Sequence, residues 1–206
     1  MAPGLRAGGI VLAGGASRRM GAPKAALDWH GVPLAAHVAG IVASGVDGPV
    51  VVVGAPGQAL PPLPPGVLAA ADAQAGRGPL EGIAAGLRAL AGRADIAFVS
   101  AVDSPHLRPA VVARVTAALA DPAGIAVPVL AGRAQPLTAA WGLGTLPAVQ
   151  AALADGRLRV RDLLAACGAV EIGEEELRAA DPDLRSFAAM NRPEEYAAAR
   201  RYAAPS

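Results

Sequence analysis

Short apolar runs alternate with segments of helical periodicity along the first 120 residues of the chain. The apolar runs lie at residues 8–12, 49–53, 67–71 and 96–102, and the helical segments at residues 34–44, 83–90 and 109–120. Runs that are apolar at consecutive positions are typical of strands buried on both faces of a parallel sheet. Because such strands alternate with helices, the pattern predicts an α/β fold, a single Rossmann-like three-layer domain with a mainly parallel sheet over residues 1–206.

Two parts of the chain depart from this alternation. Residues 55–66 contain five prolines and predict an exposed loop, because proline fits neither a helix interior nor a central strand. After residue 120 the pattern is less regular. It predicts strands at 124–129 and 170–172, a loop at 133–141 that enters another strand, helices at 147–154 and 158–167, an exposed acidic turn at 174–178 and a closing helix.

Composition excludes several classes of protein. The chain has 18 basic and 17 acidic residues, a formal charge of +1, which is too balanced for a nucleic-acid-coating protein or a polybasic membrane surface. The single cysteine, Cys167, excludes an intrachain disulfide and a multi-cysteine metal site. The sequence also has no uninterrupted apolar segment of the roughly 18 residues that a membrane span requires. We therefore expect a cytoplasmic protein that binds neither nucleic acid nor membranes.

A glycine-rich loop follows the first apolar run, with three basic residues close behind it. Gly14 and Gly15 lack Cβ atoms, so the backbone there can adopt positive φ and bring main-chain N–H groups close to a ligand. Arg18, Arg19 and Lys24 add positive charge that suits a polyphosphate. The spacing matches neither a P-loop nor a dinucleotide-binding fingerprint. A strand-to-helix turn with solvated arginines is the alternative interpretation.

Two aspartates, Asp72 and Asp103, each follow an apolar run, at the edge of the sheet where ligands bind in open α/β folds. A carboxylate in that position is costly unless it is solvated, paired or bound to a metal. An aspartate before Ser-Pro, as at position 103, also suits a turn or a helix cap. Between the two aspartates, Gly76, Gly78 and Gly82 allow backbone amides to face an anion beside a helix N-terminus.

The sequence LAGGASRRMGAPK at residues 12–24 resembles the signature loop of the nucleotidyltransferases, and within them that of the molybdenum cofactor guanylyltransferases of the MobA type. Further segments resemble the family's motifs in the same order, namely GPLEG at 78–82, DSP at 103–105, AQP at 134–136 and FAAMNRPEEY at 187–196. The chain departs from the family at Pro23, where the family often has Asp, and at Ala189 and Arg192, where it has Asn and Thr.

The resemblance implies a site for a nucleotide, a metal and an acceptor. It implies nucleotide binding by Leu12, Ala13, Gly14, Gly15, Lys24, Asp72, Gly78, Pro79 and Asp103, and acceptor binding by Gln135, Pro136 and Asn191. It also implies Mg²⁺ on Asp103, with Asp72 nearby. Lys24, Arg19 and Asp103 are then the catalytic residues, because the attack of one phosphate on another is promoted chiefly by charge neutralisation and in-line positioning.

The implied substrates are GTP and molybdopterin cofactor, and the implied product is a molybdenum guanine dinucleotide. Guanylyl enzymes of these families have LAGG at the start of the loop, as here, whereas cytidylyl relatives typically have LAAG. Pro23 and the altered tail leave open a cytidylyltransferase or a sugar-phosphate nucleotidyltransferase of the same fold. A nucleotide-binding module without turnover is the alternative from another class. We expect a monomer that makes transient contact with proteins that mature molybdoenzymes.

Two further sets of side chains have no unique assignment from sequence. The arginines at 157, 159 and 161 lie either beside an anionic acceptor or on a solvated face. The histidines at 30, 37 and 106 are too scattered to suggest a metal cluster, and we expect each to be solvated or on a helix face.

Overall fold

The computed structural model describes residues 4–14, 23–74 and 76–202, and its elements follow the predicted order. The strands are β1 (Ala7–Leu12), β2 (Asp28–Trp29), β3 (Val32–Pro33), β4 (Val50–Gly54), β5 (Leu68–Ala71), β6 (Ile96–Ala101), β7 (Ile125–Leu130), β8 (Arg133–Ala134), β9 (Thr138–Gly142) and β10 (Ala169–Ile172). The helices are α1 (Leu34–Gly45), α2 (Pro79–Leu90), α3 (Pro109–Ala117), α4 (Leu146–Ala154), α5 (Val160–Ala166), α6 (Glu174–Arg178) and α7 (Pro193–Arg201).

The main sheet has eight strands in the order β10-β7-β9-β6-β1-β4-β5, with β8 paired to β7. Strand β1 is parallel to β4 and β6, and β5 is parallel to β4, so the prediction of a mainly parallel sheet is confirmed. Strand β9 is antiparallel to both of its neighbours, β6 and β7. The sequence pattern did not predict this reversal. It arises because the chain turns back after β7 and passes through β8 into β9 without a crossover helix, which a parallel connection would need.

Helices cover both faces of the sheet, which gives the predicted three layers. Val11 and Val52 point into the layer of α1 and α3, whereas Ile10 and Val51 point into the layer of α2, α4 and α5. All four side chains are fully buried, as strands covered on both faces require. Because β1, β4, β5 and β6 are parallel, their carboxyl ends meet at one edge of the sheet, and the predicted site residues follow the strands there.

The structure differs from the predicted elements at three places. Residues 133–141, predicted as a loop, contain β8 and most of β9. Helix α2 begins at Pro79, four residues earlier than the sequence predicted, because proline fits the first helical turn and Gly78 takes a φ of 75° at the cap position. Residues 174–178 form helix α6, so the prediction of an exposed turn was wrong. Leu177 is fully buried there, and the glutamates in the first turn complement the helix N-terminus.

No helix in the described ranges of the chain has the length and apolar character that crossing a membrane requires.

Candidate functional site

The ammonium group of Lys24 connects three segments that are far apart in sequence. Its Nζ donates a hydrogen bond to Oδ2 of Asp103 at 2.7 Å and another to Oδ1 of Asn191 at 3.0 Å. The side chains of Lys24 and Asp103 are only 17% and 16% exposed, so their ion pair is partly shielded from water. The structure thus brings together three residues that the sequence had assigned to the catalytic or acceptor site.

Asp103 lies two residues beyond the end of β6, in the turn that leads to α3. Its backbone carbonyl accepts a hydrogen bond from the N–H of Met190 at 2.9 Å, which places Asn191 beside it. Helix α3 begins at Pro109 with Arg108 at the cap position and no side-chain cap. The helix-capping interpretation of Asp103 was therefore wrong, and its carboxylate faces Lys24 instead.

A buried ionic contact holds the C-terminal tail against the start of α3. Asp181 is fully buried, and its Oδ2 accepts a hydrogen bond from the N–H of Ser186 at 2.7 Å. Its Oδ1 lies 3.3 Å from Nε of Arg108. The backbone N–H of Arg108 donates a hydrogen bond to Oγ of Ser186 at 3.0 Å. Sequence patterns did not predict this contact, because Asp181 lies in a polar segment that resembles a solvated loop. The contact fixes the path by which the tail reaches Asp103.

The described part of the first loop is tied to β4. The N–H groups of Ala13 and Gly14 both donate to the carbonyl of Val53, at 2.8 and 3.1 Å. Nε2 of Gln58 donates to the carbonyl of Ala13 at 3.1 Å. The N–H groups of Ala13 and Gly14 are therefore engaged within the protein. For Gly14 alone, this differs from the expectation that the N–H groups at Gly14 and Gly15 come close to a ligand. Gln58 comes from the proline-rich loop, and the sequence did not predict this contact.

Gly14 is required for a different reason from the one that the sequence suggested. Its φ is not positive, but a Cβ at this position would lie 2.9 Å from the backbone nitrogen of Ala55. The glycine therefore permits a close approach between two backbone segments. Three further residues of the predicted site, Gly15, Arg18 and Arg19, lie outside the described residues.

Asp72 follows β5, and its N–H donates to the carbonyl of Gly54 at 3.0 Å. Oδ1 of Asp72 is buried and has no hydrogen-bond partner in the described part of the chain. Burial raises the pKa of the Asp72 carboxyl, and the charge of Glu81 adds to the rise, against the lowering effect of the hydrogen bond from its own backbone. Glu81 is ion-paired with Arg77 at 3.1 Å. An unpartnered buried oxygen is costly, which suits a group that a ligand completes.

The segment that begins α2 has the predicted backbone freedom at two of its three glycines. Gly76 and Gly78 have φ of 82° and 75°. Gly82 lies inside α2, where a Cβ would approach Cδ2 of Leu12 to 2.9 Å. The prediction that Gly82 faces a ligand was therefore wrong, because this glycine allows close packing of α2 on β1. Pro79 begins the helix beside Gly78, four residues before the predicted start.

A cavity of about 780 Å³ opens beside Asp103. Its lining includes Gln135 and Pro136, the two residues that the sequence assigned to the acceptor. The tail contributes Phe187 and Ala189 to the same cavity. Residues 133–136 lie just before β9, which pairs antiparallel with β6, the strand that ends two residues before Asp103. This pairing brings these groups together, which explains why sequence spacing alone did not predict the cavity.

The donor set around Asp103 fits Mg²⁺ better than a metal held entirely by protein. Within the described ranges, no three or more His, Cys, Asp or Glu side chains are arranged to hold a metal ion. Magnesium binds through one or two carboxylates and takes its remaining oxygens from water and phosphate. Oδ2 of Asp103 contacts Lys24, and Oδ1 accepts no hydrogen bond from the described residues. Asp103 can therefore offer a carboxylate oxygen to a phosphate-bound cation.

Three histidines surround the buried ring of Trp29 next to this site. The rings of His30, His37 and His106 have centroids 5.2, 5.6 and 5.6 Å from the Trp29 ring. Nε2 of His37 also lies 2.9 Å from the carbonyl oxygen of Pro105. The expectation of separate, solvated or helix-face histidines thus missed their common packing on Trp29.

The protein is expected to lose stability as the pH falls below about 6.5, the ordinary pKa of histidine. Burial lowers the pKa of His37 and of His106, and the hydrogen bond to Pro105 opposes the shift in His37 only in part. For His106, the charge of Arg185 adds to the lowering. The unfolded chain therefore takes up protons at a pH where the native state does not, so unfolding becomes more favourable as the pH decreases.

Each such proton changes the free energy of unfolding by at most about 1.4 kcal/mol per pH unit. Partial exposure of both rings makes this dependence on pH smaller. Urea unfolding between pH 8.0 and 5.5 measures the slope. The double variant His37→Gln, His106→Gln should show a flatter slope below pH 6.5. An equal slope in the wild type and the double variant would show that other groups are responsible.

Comparisons with known proteins agree with this geometry. The sequence model of one protein family, the MobA-like NTP transferase domain, matches residues 9–171 of the chain. The chain is 35% identical over 188 residues to molybdenum cofactor guanylyltransferase from Desulfosudis oleivorans, and the match covers 91% of each chain. It is also 49% identical over 102 residues to the probable molybdenum cofactor guanylyltransferase of Mycobacterium tuberculosis strain H37Rv, over 48% of this chain and 49% of the relative.

Among solved structures, the chain is similar to molybdopterin-guanine dinucleotide biosynthesis protein A from Archaeoglobus fulgidus. The TM-score is 0.74, the sequence identity is 22%, and the match covers 94% of this chain and 96% of the other. At this identity the similarity concerns the fold, and it confirms the predicted α/β architecture.

Proposed function

Because the chain belongs to the MobA-like NTP transferase domain family, we propose that it transfers GMP from GTP to the phosphate of molybdopterin cofactor. An oxygen of the acceptor's phosphate forms a bond to the α-phosphorus as the bond to the β-phosphate oxygen breaks. The products are a guanine dinucleotide and pyrophosphate. The observation that supports this function best is the 35% identity to a molybdenum cofactor guanylyltransferase over 91% of the chain.

In this proposal, the residues around Lys24 neutralise the triphosphate. Lys24 binds its oxygens, and Asn191, 3.0 Å from Nζ, orients the ammonium. Asp103 holds Mg²⁺, which supplies positive charge for the phosphate oxygens during transfer. Arg19 belongs to the same proposed group through the family resemblance. Preorganised charges of this kind act where negative charge develops and need no reorganisation during the reaction.

The nucleoside half of GTP is proposed to lie along the edge formed by Leu12, Ala13, Gly14, Gly15, Asp72, Gly78 and Pro79. The buried Oδ1 of Asp72 supports this placement, since it would gain a partner from a ligand hydroxyl or N–H group. The N-terminus of α2, at Gly78 and Pro79, offers a partial positive charge on the same side. The acceptor is proposed to lie in the cavity lined by Gln135 and Pro136.

A direct assay tests the function. The purified protein is mixed with GTP, Mg²⁺ and molybdopterin cofactor, pyrophosphate release is followed, and the dinucleotide is identified by mass spectrometry. Reactions without the acceptor, and with a sugar 1-phosphate in its place, serve as controls. Pyrophosphate release only with the sugar phosphate would replace the proposed acceptor. Binding of GTP with no release under any condition would instead indicate a nucleotide-binding module.

We expect the protein to bind GTP at least about tenfold more tightly than CTP. Its loop begins with LAGG, the form that guanylyl members of the resembling families have. A site that hydrogen-bonds one base edge discriminates strongly, because the wrong base leaves buried polar groups unpaired. Thermal-shift titrations of the wild type with each nucleotide and Mg²⁺ measure the difference. Equal affinity, or tighter binding of CTP, would overturn the guanylyl assignment while leaving nucleotidyl transfer in place.

The preference for GTP over CTP is measured on the wild type and not on a variant of Gly14. In Gly14→Ala, the new methyl group would lie 2.9 Å from the nitrogen of Ala55, so the two backbone segments would have to move apart. Any change in base preference would then be mixed with a change in the stability of the loop.

A further inference from the structure

Two arginines line the cavity beside Asp103, from different parts of the fold. Arg133 belongs to β8, and Arg161 belongs to α5. Phe187 lines the same cavity from the C-terminal tail. The two arginines therefore border the same cavity as Asp103, whose carboxylate contacts Lys24.

The charges of these two arginines are not offset by an ionic partner in the described part of the chain. Within the described ranges, the side chains of Arg133 and Arg161 form no hydrogen bond or ion pair. Arg157, close to Arg161 in sequence, pairs with Asp155 at 3.0 Å and does not line the cavity. Of the described residues in the lining, only Asp103 is a carboxylate, and Lys24 already lies 2.7 Å from it. The cavity is thus positively charged.

This charge fits an oxyanion that enters the cavity. An anion bound between Arg133 and Arg161 would offset the positive charge that both residues bring to the cavity lining. A guanidinium also binds a phosphate through two parallel hydrogen bonds, which sets the orientation of the phosphate as well as its position. Phe187 and Pro136 offer apolar surface on which a flat ring attached to that phosphate can lie.

We propose that Arg133 and Arg161 bind the phosphate of the acceptor and hold it beside Asp103 for in-line attack. This inference rests on the proposed function, in which that phosphate is the nucleophile. The guanidinium groups transfer no proton: one acceptor oxygen bonds to the α-phosphorus, and pyrophosphate departs with the electron pair of the broken bond. Their contribution is to offset the repulsion between two phosphate groups that must come into contact, and to select a phosphomonoester over a neutral alcohol.

Steady-state kinetics of the full chain test this role. Arg133→Ala and Arg161→Ala should each raise the KM for molybdopterin cofactor by about 10- to 100-fold, the loss expected when a charge-assisted contact is removed. The KM for GTP should change by less than about twofold, since neither arginine forms a hydrogen bond or ion pair with the described residues of the proposed nucleotide site. Arg157→Ala is the matched control, with both KM values unchanged. An unchanged KM for the acceptor in both cavity variants would overturn the inference.

A binding measurement separates this inference from the proposed function. Phenyl phosphate is the probe, benzyl alcohol is the uncharged control, and calorimetry is done with saturating GTP and Mg²⁺ so that the nucleotide site is filled. The wild type and Arg157→Ala should bind phenyl phosphate, both cavity variants should bind it at least about tenfold more weakly, and none should bind benzyl alcohol. Arginine-dependent binding without dinucleotide formation would support the anion site and refute the function. Equal binding by the cavity variants would refute the site.

Discussion

Lys24→Ala is expected to lower turnover more than a hundredfold while leaving the fold intact. The ammonium of Lys24 lies beside the end of β6, where pyrophosphate charge would develop, and mutagenesis of comparable electrostatic groups gives losses of roughly 3 kcal/mol in transition-state stabilisation. The kcat from pyrophosphate release measures the effect. Circular dichroism and thermal unfolding establish that the variant is folded.

A second variant at Lys24 separates the loss of its charge from the loss of its side-chain volume. Removal of the ammonium also deprives Asp103 of the group 2.7 Å away and Asn191 of the donor 3.0 Å away. Lys24→Met keeps most of the side-chain volume but not the charge, so a similar loss in both variants assigns the effect to the charge. Because the pair is largely shielded from water, removal of the ammonium leaves the Asp103 carboxylate without its ionic partner, so the variants should also lose some stability. Turnover like that of the wild type in either variant would contradict the proposed role.

The sequence predicted most of the fold because burial on two faces leaves a simple signature. Consecutive apolar residues in β1, β4 and β6 identified the strands, and the periodicity of α1 and α3 identified the helices between them. The direction of β9 had no such signature. An apolar strand looks the same in either direction, and only the lack of a crossover helix before it determines that it runs antiparallel.

In the site, as in the fold, the sequence predicted only what a local pattern indicates. Lys24 and Asp103 follow apolar runs, so their place at the carboxyl edge could be inferred, and the family resemblance supplied Asn191. Contacts across the fold left no trace in local sequence. Gln58, in a proline-rich loop, donates to the carbonyl of Ala13. Such contacts depend on which loops the sheet order brings together, and no periodicity encodes that order.

Asp103→Asn is expected to lower turnover about a hundredfold and to weaken the dependence on Mg²⁺. Asparagine preserves the size and much of the hydrogen-bonding capacity of the side chain. It removes the negative charge that a hard cation requires from its ligand. A titration of turnover against Mg²⁺ concentration measures the change, with the KM for GTP determined at each concentration.

The ion pair with Lys24 offers a competing explanation, in which Asp103 serves only to position the ammonium. The two roles give different results. If Asp103 only positions Lys24, Asp103→Asn loses turnover but keeps the Mg²⁺ concentration for half-maximal activity of the wild type. If Asp103 holds the metal, that concentration rises.

Asp72→Asn is the matched carboxylate variant. Because Oδ1 of Asp72 is buried and unpartnered in the described residues, the loss of this carboxylate should raise the KM for GTP and leave the Mg²⁺ dependence unchanged. A shift in Mg²⁺ dependence in both variants would mean that the two carboxylates share the ion.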